Sequence, residues 1–106
     1  MNYSKRGTNN KKTKSLDLDS YKMMAMYKKF FSYCEQSGVN LLLEDMIYIK
    51  VAIRKITLNV EAARNILFRY HRIYKENHKL EHDEIKKDNA ARRAANNFLT
   101  DQVDKS

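Results

Sequence analysis

The chain has 106 residues, 21 Lys plus Arg against 13 Asp plus Glu, a formal net charge of +8, two glycines, no proline and one cysteine. A chain of this length supports one compact domain and excludes a second independent core. With only Gly7 and Gly38 and no proline, the turn-rich sandwiches and barrels are excluded in favour of helices joined by short polar connections.

Cys34 alone cannot close an intramolecular disulfide, and no Cys/His quartet offers a structural zinc site, so a reducing compartment is expected. No run reaches the ~18 to 20 apolar residues of a membrane span, and the basic start lacks the apolar centre of a secretory signal. The expectation is an all-α protein, a small three- to four-helix bundle in the cytoplasm with no membrane contact. Residues 1–15 are expected as a disordered basic arm, 16–100 as a single helical domain and 101–106 as a frayed C-terminus.

The net charge is unevenly placed. Residues 1–15 hold Lys5, Arg6, Lys11, Lys12 and Lys14 without an acid, and they are too poor in apolar groups to offset the entropy of ordering. Residues 16–49 sum to −2 and residues 80–106 to −1. Residues 50–79 carry eight bases against Glu61 and Glu76, giving +6.

The first helix is expected to start near Asp17 to Ser20, with Asp19 or Ser20 as cap, and to end at Gly38. Met23, Tyr27, Phe30, Phe31 and Cys34 fall on one side of it, and Lys22, Lys29 and Gln36 on the other. The Met23, Met24 and Met26 cluster reads as core filling ahead of an adaptable binding surface.

Leu41 to Thr57 carries a helical stripe at Leu42, Met46, Ile49, Ile53 and Ile56 and a strand-like alternation at Ile47, Ile49, Val51 and Ile53. Helix is the reading here, because no other segment offers a partner strand. A second apolar row at Leu43, Ile47 and Val51 then makes this helix either central in its bundle or a partner interface, with a homodimer seam as the competing expectation.

Thr57 or Asn59 is the expected cap of a third helix, with Val60, Ala63, Leu67, Tyr70 and Tyr74 inward, widened by Ile66 and Ile73. Its opposite arc gathers Arg64, Arg72, Lys75 and Lys79, with Arg69 at the edge and Phe68 in the middle. The leading expectation is that Phe68 packs under another element, the last helix first, with Arg stems covering it. The functional alternative is a stacking residue inside a phosphate-binding surface. His71 reads as an exposed side chain near the same arc. The last segment offers a weak apolar face at Ile85, Ala91, Ala94, Ala95, Phe98 and Leu99, either continuing the third helix or restarting near Asp83.

His78, Lys79, Leu80, Glu81 and His82 fit an H-x-x-E-H pattern, in which two His one helical turn apart bind zinc and the Glu acts as base. Such patterns arise easily in a Lys/Glu/His-rich helix, and no further ligand or cleft accompanies this one. No phosphate loop, nucleophile elbow or paired carboxylates are present, so no enzyme activity, metal or cofactor is expected.

The leading expectation is a nucleic-acid-binding protein, for DNA or RNA, that contacts the phosphate backbone through the arm and the basic arc. Membership of a nucleoprotein complex extends it, with Tyr3, Tyr21, Tyr33 and Tyr48 as stacking candidates. A helix-turn-helix-like pairing of the second and third helices, with Arg64 and Asn65 reading bases, is a minor variant. The rival is a non-enzymatic interaction module, an adaptor, inhibitor or small complex subunit, using Leu43, Ile47 and Val51.

Overall fold

In the computed structural model the chain forms four helices, α1 (Tyr3–Gln36), α2 (Leu43–Ile56), α3 (Val60–Leu80) and α4 (Lys87–Lys105), with no strand among the described residues. The structure describes the backbone of residues 3–106 and the side chains from Ser20 onward. The basic arm expected over residues 1–15, with Lys5, Arg6, Lys11, Lys12 and Lys14, has its side chains outside the described residues. α1 runs through Ser20 without interruption, so Ser20 does not cap it.

α1 stops where Gly38 adopts φ of 81°, a left-handed conformation that costs a residue with a Cβ about 1–2 kcal/mol. The Val39 amide then donates back to the Cys34 carbonyl at 2.8 Å and buries its side chain beside the helix end, a Schellman closure. α2 is a helix over the stretch that also alternates as a strand. At its start the Asp45 carboxylate accepts the Leu42 amide at 2.8 Å. Asn59 is the cap of α3, its Oδ1 accepting the Ala62 amide at 2.9 Å, while Thr57 Oγ1 accepts the Asn59 amide.

α3 and α4 form the most extensive helix pair, α2 packs on α4, and α1 packs on α3. Ala91, Ala95 and Leu99 recur at four-residue spacing on α4 and are fully buried, the small side chains letting α3 approach closely. The core joins Met26, Phe30 and Cys34 of α1, Ile49 and Ile53 of α2, and Leu67, Tyr70 and Tyr74 of α3. α2 and α3 both pack chiefly on α4 and touch each other little, so their short link does not bring them together as a closely packed pair. Nor is α2 central: Leu43, Ile47 and Val51 lie exposed on its outer side. Ile85, expected on the apolar face of the last helix, is 91% exposed, because α4 starts only at Lys87.

A polar chain borders the apolar core, buried at Asp45 and reaching the surface at Asn40. The Tyr70 hydroxyl donates to Asn96 Oδ1 at 2.7 Å, and Asn96 Nδ2 donates to Asp45 Oδ1 at 3.0 Å. Arg92 lies 3.5 Å from Asp45 and donates to the Asn40 carbonyl at 3.3 Å. The Asn40 amide donates to the Tyr74 hydroxyl, which donates onward to Asp88 at 2.9 Å. Every fully buried side-chain N or O among the described residues has a partner, as a buried polar network requires.

Candidate nucleic-acid interface

The cation-rich flank of α3 is built by one helix and bounded by α1. Ala63, Leu67, Tyr70, His71 and Tyr74 face inward, so side chains about 100° further round, at 64, 68, 72, 75 and 79, line up beside the α1 contact. Arg64, Phe68, Arg72, Lys75 and Lys79 are all exposed on this flank.

Phe68 is 54% exposed, which overturns the expectation that it packs under the last helix. α4 lies on the other side of α3, where Arg69 meets it: the Arg69 guanidinium sits 4.8 Å from the Phe98 ring centroid. Arg69, itself exposed, thus lies against the α4 side of α3, away from the surface where Phe68 sits between Arg64 and Arg72, one turn to either side.

The cations differ in their engagement. Arg64 pairs with Glu61 at 2.5 Å and Arg72 with Glu76 at 3.7 Å, both exposed neighbours on the same helix. Pairs of this kind contribute only about 0.3–0.5 kcal/mol. Lys75 donates to the Ser37 carbonyl at 2.7 Å, satisfying the C-terminal end of α1. Lys79 makes no ion pair with a described residue.

His71 is buried, not exposed beside the basic arc. It is 9% exposed, packed against Tyr33 with centroids 4.6 Å apart and the rings tilted by 30°, and its Nε2 lies 2.7 Å from Ser37 Oγ. Burial, aided by the neighbouring Lys75 charge, holds its pKa below the ordinary imidazole value. The ring therefore supplies no cation to this flank near neutral pH. Its burial was legible: 63, 67, 70, 71 and 74 follow the i, i+4, i+7, i+8, i+11 pattern of one helix face. Lys29, one turn ahead of Tyr33 on α1 and exposed, extends the flank and was recoverable only from the α1–α3 register.

The other stacking candidates separate. Tyr21 is exposed, Tyr33 is committed to His71, Tyr48 is half-buried and hydrogen-bonded to Thr100, and the side chain of Tyr3 lies outside the described residues. The H-x-x-E-H stretch does not hold helical spacing, because α3 ends at Leu80. His78 instead pairs with Asp88 at 3.1 Å, and His82 lies beyond the helix. No cluster of three or more metal-ligating side chains occurs among the described residues. No helix among them is long and apolar enough to cross a membrane.

The class defined by this geometry is a four-helix, all-α chain with a cationic flank bearing one exposed aromatic ring. No family model, curated protein or solved structure matches the chain.

Proposed function

We propose that this is a nucleic-acid-binding protein that grips phosphate backbone through the outer flank of α3, as a binding component without enzymatic chemistry of its own. The observation that carries the reading is Phe68, exposed between Arg64 and Arg72. A half-exposed phenyl ring ringed by cations gains little for the fold, whereas a base or sugar offers it an apolar face and the flanking cations neutralise phosphates. Lys79 and Lys75 continue the track, and the basic residues Lys5, Arg6, Lys11, Lys12 and Lys14 supply a second charged element. Stacking on a single ring suits unpaired strands better than a duplex, which places a nucleoprotein assembly on single-stranded DNA or RNA ahead of groove reading.

The test is affinity for single-stranded DNA, RNA and duplex DNA between about 50 and 200 mM salt. A steep negative slope of log affinity against log salt is expected, shallower in an Arg64→Glu/Arg72→Glu variant, with Phe68→Ala weakening single-strand binding most. A slope near zero overturns the proposal.

A second reading rests on the exposed row Leu43, Ile47 and Val51, a surface suited to a protein contact, including a homodimer seam or a larger complex. Its measurement is mass in solution with and without Ile47→Asp; a monomer in both cases removes the dimer.

A further inference from the structure

A groove of about 910 Å³ runs between α1 and the C-terminal half of α2, on the other side of α1 from its contact with α3. Its floor is Met23, Tyr27 and Phe31, and its upper walls are Met24, Val51 and Leu58. Met24 is 68% and Leu58 72% exposed, so large apolar side chains stand in solvent at its mouth. The polar lining is dominated by cations from both helices: Lys28 from α1, and Lys50, Arg54 and Lys55 from α2. No acid lines the groove among the described residues, and none of these four cations makes an ion pair with a described residue. Lys50 Nζ lies 6.0 Å from the Tyr27 ring centroid and 5.9 Å from that of Phe31, its stem lying across the floor.

We propose that this groove docks an acidic amphipathic helix of a partner protein, with apolar anchors on Met24, Val51 and Leu58 and carboxylates against Lys28, Lys50, Arg54 and Lys55. An apolar trough with cations on both helices is complementary to an apolar stripe flanked by acids, the pattern of helix-in-groove recognition. Methionines suit the role, since their unbranched side chains reshape around an incoming anchor. A second copy of the groove would set cations against cations, and residues 1–15 bring only more lysine and arginine. A nucleic-acid strand would satisfy the cations, but its bases bind by stacking on flat rings, and Met24, Val51 and Leu58 at the mouth offer none. The inference is independent of the nucleic-acid reading, because Arg64, Phe68 and Arg72 lie on α3 and take no part.

The experiment is selection from a displayed library of random peptides of about 16 residues, roughly four helical turns. The full chain is the target, and the best peptide is then titrated by fluorescence anisotropy. Enriched peptides are expected to be acidic, with apolar residues at i, i+3/i+4 and i+7, and to shift the backbone amide resonances of Met24, Val51 and Leu58. Lys50→Glu/Arg54→Glu and Met24→Glu should each weaken the peptide by at least about tenfold, with circular-dichroism melts unchanged. Phe68→Ala should leave it unaffected. Failure to enrich, enrichment of peptides without acids, or binding insensitive to these variants overturns the proposal. Direct binding of single-stranded DNA that is lost in Lys50→Glu/Arg54→Glu but retained in Phe68→Ala also overturns it and makes the groove a nucleic-acid site.

Discussion

His71 Nε2 and Ser37 Oγ lie 2.7 Å apart, joining the C-terminal end of α1 to the middle of α3. The Ser37 hydroxyl donates its single proton to the Tyr33 carbonyl, with the two oxygens 2.7 Å apart, which leaves its lone pairs for the imidazole N–H. One polar contact thus locks the α1 terminus, the Tyr33 ring and the face of α3 behind the cationic flank.

This contact predicts a pH dependence. The folded-state pKa of His71 lies below its ordinary value of 6.5, so the unfolded chain binds the proton more readily. The resulting stabilisation is present above pH 6.5 and is lost as pH falls below it. Thermal unfolding between about pH 5 and pH 8 should show Tm falling on acidification, and His71→Gln should flatten that fall. Lys75→Met should raise the His71 pKa in a proton NMR titration, since the ammonium contributes to its depression.

A second, more acidic window belongs to Asp88. Burial pushes its pKa up, but hydrogen bonds from Tyr74 and Asn40 and the His78 partner outweigh it, leaving the value below the ordinary 3.8. Its contribution is present above that pH and lost as pH falls through the lowered folded value. Tyr74→Phe should raise the Asp88 pKa in a carboxyl NMR titration; an unchanged value would mean that the hydroxyl does not hold the carboxylate.

Adjacent residues on α3 should respond oppositely to truncation. Leu67 is fully buried, and Leu67→Ala should cost about 2–5 kcal/mol in urea unfolding. Phe68→Ala should change stability by less than about 0.5 kcal/mol while weakening single-strand binding. A large stability loss for Phe68→Ala would assign the ring to packing instead.

Asp45 is the junction of the buried polar chain, meeting Leu42, Asn96 and Arg92. Asp45→Ala leaves the Leu42 amide and Asn96 Nδ2 without their acceptor and should cost about 1–3 kcal/mol by chemical denaturation.

Gly38→Ala isolates a backbone term. An added Cβ would meet only Lys75 Nζ at 3.7 Å, an ordinary contact, so the loss should be the about 1–2 kcal/mol of a left-handed conformation.

What the sequence by itself determined is local. The helical character of the chain, the end of α1 at Gly38, the Asn59 cap and the inward stripe of α3 follow from periodicity and backbone preference, which act within a few residues. The clustering of bases in residues 50–79 was equally plain. Only the tertiary structure decided which neighbours meet those faces. Phe68 and Arg69 are adjacent in sequence, yet one stands in solvent and the other stacks on Phe98, because α4 covers a single flank of α3. His71 was drawn from the basic arc into the α1 seam, and Lys50 and Arg54 were brought beside Met24 and Tyr27. Helix spacing specifies the direction of a side chain about its own axis, whereas burial and pairing depend on where the next helix lies, a choice made by the core as a whole.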